Sequence, residues 1–142
     1  MNDTVYLDGN GCIYGKISAY VAKKLLNGNN VVIVNANRVV ITGSRDFILD
    51  KFLSRRDIGS VRKGPYYPRT ADQILRRSIR GMLPMRNTKG RDALKNCMVY
   101  TGVPKDLKGG KFERIDSVIT DKVTGFITLA EISRHLGAKV KE

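Results

Sequence analysis

The residues of this chain whose types and spacing suggest a chemistry are eleven cations: Arg55, Arg56, Arg62, Lys63, Arg69, Arg76, Arg77, Arg80, Arg86, Lys89 and Arg91. They are dispersed over a turn-rich segment, a predicted helix and the turn after it, rather than stacked in one tail. A solvated face is the ordinary fate of a single charge, but so many cations with few carboxylates between them repel each other unless a polyanion lies among them. The chemistry they suit is phosphate binding. Nine of the eleven are arginine, whose planar fork makes bidentate contacts with phosphate and stacks on bases, whereas lysine offers a mobile point charge. Tyr66 and Tyr67, placed between prolines in the same segment, either stack on unpaired bases or pack on the domain, and the sequence leaves both readings open.

Other chemistries find less support. The turn from Gly9 to Lys16 has the glycine content of a nucleotide-binding loop without its spacing. A P-loop needs four residues between its first glycine and the Gly-Lys pair, then Ser or Thr for Mg²⁺; here three residues separate Gly11 from Gly15, and Ile17 follows Lys16. As a dinucleotide fingerprint its third glycine comes one residue late, and Asn35-Ala36-Asn37 stands where an acidic residue is needed. We read a structural turn, with Lys16 at a helix N-terminus as one more candidate phosphate contact. The single histidine, His135, falls in the last turn of a predicted helix, where a cation is simply favourable. No acid–base pair, activated nucleophile or metal-ligand cluster stands out. The expectation is a protein that is no enzyme and has no cofactor, metal or small-molecule substrate.

Composition agrees. The chain has 142 residues and a formal net charge of +13, a length suited to one domain and a balance suited to nucleic acid or an anionic surface. Between Arg45 and Lys95 fourteen basic side chains face five acidic ones, so most of the excess sits in the middle third. A membrane is disfavoured, because the longest purely aliphatic run is Val31 to Val34 and a spanning helix needs about 20 apolar residues. The N-terminus, MNDTVYLDGNG, does not read as a signal peptide, which points to a cytoplasmic protein. Cys12 and Cys97 form no CxxC pair and are expected reduced and packed.

The elements that must position the cations follow from periodicity. Val5 to Leu7 reads as a strand closed by an Asp-Gly-Asn-Gly turn, and Tyr14 to Asn27 as a helix with Ile17, Val21 and Leu25 on one face and Gly28 as its stop. Val31 to Val34 reads as a covered strand, completing a right-handed βαβ unit with parallel strands. Val39 to Thr42 is a further short strand, and Ser44 caps a helix that buries Ile48, Leu49, Phe52 and Leu53. Residues 54–69 lack periodicity and read as a long basic functional loop. Thr70 and Gln73 match a capping box for the next helix. In that helix Leu75, Ile79 and Met82 form a buried seam about 140° from Arg76, Arg77 and Arg80, and Pro84 ends it. A short helix within Thr88 to Asn96, a strand from Cys97 to Thr101 and a loop from Val103 to Gly110 come next. Ile115 to Thr120 reads as a strand or an extended arm. A second capping box, Thr128 and Glu131, opens a C-terminal helix over about 128–136 with Leu129, Ile132 and Leu136 on one face.

With these elements in place the chain resembles a known family, large-subunit ribosomal protein thirteen in its archaeal form. The resemblance rests on Ile79-Arg80-Gly81-Met82-Leu83-Pro84, then Lys89-Gly90-Arg91, then Val99-Tyr100-Thr101-Gly102-Val103-Pro104. Upstream, Asp8 to Gly11, Gly15-Lys16-Ile17, Val31 to Ala36, Ile41-Thr42-Gly43 and Lys63-Gly64-Pro65 match in order. Two departures are visible: Lys16 stands where arginine is more usual, and Ala71-Asp72 where a proline often starts the helix. The long C-terminal helical extension of eukaryotic members is not seen, in keeping with the archaeal form.

The resemblance implies an α/β domain over residues 1–142, three-layered α/β/α with a small, mostly parallel central sheet of about four strands and basic loop extensions. It implies a structural constituent of the large ribosomal subunit that binds 23S-type rRNA, adjoins other large-subunit proteins and supports early assembly, hence translation. The family's rRNA contacts would fall on Arg76, Arg77, Arg80 and Arg86, on Lys89 and Arg91, and on loop cations around Arg62 and Lys63. A rival reading, a free mRNA-binding translational repressor or a second role of the same protein, draws on the same cations.

Overall fold

Three short parallel strands set the frame. The computed structural model describes residues 3–58, 62, 64, 67–119 and 125–139; Lys63, Tyr66 and Thr120 lie outside these. Strand β1 (Thr4–Asp8), helix α1 (Tyr14–Leu26) and strand β2 (Asn30–Val34) form the expected βαβ unit, with Val5 beside Val31 and Leu7 beside Ile33 in parallel register. Helix α1 buries Ile17, Val21 and Leu25, as their spacing requires. It ends where Gly28 takes φ +91°, a left-handed turn that costs a residue without Cβ nothing.

The chain then runs through strand β3 (Val40–Thr42), helix α2 (Arg45–Asp57), helix α3 (Ala71–Gly81) and helix α4 (Thr88–Lys95) before returning as strand β4 (Cys97–Val99). Strand β4 lies parallel to β2, giving the order β1-β2-β4. Both crossovers step the same way across this sheet, so right-handed connections place their helices on one face. Leu7, Val31, Ile33, Cys97 and Val99 point to that face and are buried. The other face carries the row Tyr6, Val32 and Met98, where Tyr6 is 39% and Met98 50% exposed. The α/β class and the mostly parallel sheet are as expected. The strands divide as three in the parallel sheet and two in an antiparallel pair.

The remaining two strands make an antiparallel pair, β3 with β5 (Phe126–Thr128), Val40 opposite Thr128 and Thr42 opposite Phe126. Strand β5 leads directly into helix α5 (Leu129–His135), which buries Leu129 and Ile132 with Leu136 just beyond it. Ile115 to Ile119 forms neither a strand nor an arm. It holds a 3₁₀ turn at Asp116–Val118, with Val118 buried and Ile119 making one isolated bridge to Cys12. Alternation there reflects one inward residue in a tight turn. Residues 103–110 are loop apart from a 3₁₀ turn at Lys105–Leu107.

Candidate nucleic-acid interface

Helix α3 buries Ala71, Ile74, Leu75 and Ile79, which leaves its arginines on the outer side. Arg76 and Arg77 are half-buried and Arg80 is exposed. Arg76 Nη2 donates to the Leu94 carbonyl oxygen at 3.2 Å. That oxygen lies in the last turn of α4, where carbonyls lack helical partners and a cation is welcome. The guanidinium of Arg77 lies 5.3 Å from the centre of the Tyr67 ring and that of Arg55 5.6 Å from it. Arg55 Nη1 also donates to Tyr67 Oη at 3.3 Å, and Tyr67 meets Phe52 edge-on at 6.0 Å. Of the two readings open for the tyrosine pair, Tyr67 packs on the domain, and its ring holds two guanidinium groups in place. Tyr66 lies outside the described residues.

These contacts leave a cleft of about 460 Å³ between α3 and α4, lined by Arg76, Arg77 and Arg80 together with Tyr67, Pro68 and Gln73. Three cations from one helix thus converge on one hollow whose wall is an aromatic ring. Arg86, Lys89 and Arg91 are exposed on the turn and helix that follow, with Arg91 Nη2 reaching Thr88 Oγ1 at 3.5 Å. Their turn is tightly packed: the backbone of Gly90 lies so close to the Pro84 carbonyl that any Cβ would overlap it.

The other predicted cations are placed differently. Arg56, in the last turn of α2 rather than in the loop expected from residue 54, bonds Asp57 at 2.9 Å and the Leu136 carbonyl just past α5 at 3.5 Å, and the carbonyl of Arg69 accepts from Ser133 Oγ of α5 at 2.6 Å. Arg62 and Lys16 are exposed and do not line this cleft. Lys63 lies outside the described residues. Met82, expected in the buried seam, is 44% exposed, and Leu83 takes its place at 6%. Past Gly81 the bonds tighten to the three-residue kind, Met82 N–H to Ile79 and Leu83 N–H to Arg80, and the extra rotation per residue turns Leu83 inward.

The Gly9 to Lys16 turn is filled by the chain itself. A Cβ on Gly9 would meet the Val34 carbonyl and Val39 at 3.0 Å. Asp8 Oδ1 accepts from the Asn10 N–H at 3.0 Å and from Asn35 Nδ2 at 2.9 Å, and Asp8 Oδ2 pairs with Arg114 at 3.4 Å. The carboxylate therefore ties the ends of β1 and β2 together. Both cysteines are buried, and burial pushes each thiol up to about 11, as befits packed rather than reactive groups. Among the described residues no group of His, Cys, Asp or Glu is arranged to hold a metal ion, and no helix is long and apolar enough to cross a membrane.

Fold and cleft together define a basic α/β protein with an arginine-lined cleft. Residues 2–106 match the ribosomal protein L13 family, and the chain belongs to that family. It is 61% identical over 133 residues to the large ribosomal subunit protein uL13 of Picrophilus torridus, covering 94% of this chain and 96% of that protein. It is 59% identical over 131 residues to that of Thermoplasma volcanium, with 92% and 96% covered. With that of Archaeoglobus fulgidus it shares 42% identity over 139 residues, with 96% and 89% covered.

Proposed function

We propose that this protein is a structural component of the large subunit of the cytoplasmic ribosome and that it binds 23S-type rRNA through the α3–α4 cleft and the basic turn after it. One observation carries the reading: Arg76, Arg77 and Arg80 converge with Tyr67 on one cleft in a chain of net charge +13. Family membership favours rRNA as the polyanion. Arginine forks fixed by Tyr67 and by the α4 carbonyl hold phosphates at set positions, which is recognition by shape and charge more than by base edges. Arg86, Lys89 and Arg91, on a turn locked by Gly90, extend the phosphate track. Holding separate rRNA segments against one rigid domain is the contribution to early assembly, with neighbouring large-subunit proteins completing the surroundings.

The test is where the protein goes and what it crosslinks to in intact cells. Sucrose-gradient fractions should place it in 50S particles, with crosslinked RNA dominated by large-subunit rRNA at Arg76 to Arg91. Absence from 50S particles while the protein is abundant elsewhere would overturn the proposal. Crosslinks mainly to mRNA would favour the repressor reading.

A further inference from the structure

A second cavity, of about 520 Å³, also lined by Tyr67, lies between α2, β3 and α3. Four aromatic side chains line it, Tyr14, Phe47, Phe52 and Tyr67, with the cations Lys51, Arg55 and Arg77, and no carboxylate of the described residues does so. Phe47 is 70% exposed. It lies off the buried side of α2, which consists of Ile48, Leu49 and Phe52, so the core does not need it. Tyr67 and Arg77 line both this cavity and the arginine cleft, which makes the two hollows neighbours across one stacked pair.

We infer that this cavity is a base subsite: it takes one unstacked nucleobase of RNA, while adjoining phosphates of the same strand lie against Arg77, Arg80 and Lys51. The inference rests on the RNA reading of the arginine cleft and adds to it the place where a base goes. Size and lining suit a flat, mostly apolar group fixed by a few polar contacts. Aromatic faces stack any base without regard to sequence, so the subsite would grip a strand without reading it. A protein neighbour could use an apolar groove too. Continuity with the arginine cleft through Tyr67 and Arg77, and the cationic lining, favour a phosphodiester strand instead.

The experiment compares two probes of equal charge on the whole chain: an RNA octamer of adenylates, and a base-free ribose-phosphate octamer of the same length. The adenylate octamer should bind about ten-fold tighter. Phe47→Ala should shrink that preference to about two-fold with the melting temperature and the base-free affinity unchanged, and Phe47→Trp should restore it. Equal binding of the two octamers by the wild-type chain overturns the base subsite and leaves phosphate binding standing. Binding of neither, while large-subunit rRNA still binds, also overturns the subsite alone; loss of all three overturns the RNA reading with it. If Phe47→Ala leaves both octamers unaffected yet depletes the protein from 50S particles, the groove belongs to a protein neighbour and the inference falls.

Discussion

The backbone of Gly90, inside helix α4, rests on the carbonyl group of Pro84, and a Cβ there would also meet Pro84 Cδ at 3.1 Å. This joins two parts of the family signature, Met-Leu-Pro and Lys-Gly-Arg, into one packed unit that aims Arg86, Lys89 and Arg91. The Asn87 N–H donates to the same Pro84 carbonyl at 3.0 Å, closing the turn from the other side.

Gly90→Ala therefore has an unusual sign. In an open helix it gains up to about 1 kcal/mol from propensity. Here the added methyl must displace backbone, and overpacking on the order of 1–3 kcal/mol or more prevails. We expect a net loss of stability in urea unfolding, and an unchanged or improved midpoint would show that the turn yields freely.

Met82 and Leu83 differ as their exposures of 44% and 6% require. Leu83→Ala should cost about 2–5 kcal/mol by leaving a cavity, whereas Met82→Ala should cost well under about 1 kcal/mol. Thermal unfolding of the two variants side by side checks this. Equal costs would mean that Met82 is packed after all.

Much of this arrangement was legible in the residues because local periodicity dictated it. The Ile17, Val21, Leu25 stripe, the β2 run and the stop at Gly28 all stand. Local hydrogen-bonding patterns transferred less well, since nearby charges and packing compete for the same groups. Thr70 sits at the N-cap of α3, and Ser44 at that of α2, with no side-chain cap bond. Thr128 does accept from the Glu131 N–H, at 3.4 Å, but the Glu131 carboxylate turns to Arg45 at 2.6 Å. Strand β5 was not legible because its partner, Ile41 beside Ile127, is far away in sequence, and three residues carry too little pattern alone. Phe47 and Lys51 escaped notice for a related reason. They belong to no stripe of α2, and only the approach of α3 gives them a cavity to line.

Within the cleft the arginines should separate by what else they hold. Arg80 is exposed, so Arg80→Ala should leave stability unchanged and lower the salt slope of rRNA-fragment binding by about one unit. Arg76 also bonds the Leu94 carbonyl, so Arg76→Ala should lower stability by about 1 kcal/mol in addition. Titrations at several salt concentrations, read beside denaturation curves, distinguish the two. An Arg80→Ala slope equal to wild type would remove that residue from the phosphate track.

Alkaline pH should loosen the α1–α3 contact. Burial, and next to it the nearby Tyr67, push the Tyr14 hydroxyl from 10.0 up to about 12, while Tyr14 Oη donates to the Ile74 carbonyl at 3.4 Å. The folded state thus keeps this proton when the unfolded chain has begun to lose it. Stability from Tyr14 is complete below pH 10, falls as pH rises from there, and is gone above about 12. Each tenfold difference in proton affinity between the folded and unfolded chain is worth about 1.4 kcal/mol, so the loss is on the order of 2–3 kcal/mol. Both cysteine thiols, raised by burial from 9.0 to about 11, add losses of the same sign beginning near pH 9. Tyr14→Phe should flatten the decline between pH 10 and 12 without abolishing it. A variant whose stability falls as steeply as that of the parent would show that Tyr14 keeps no proton through folding.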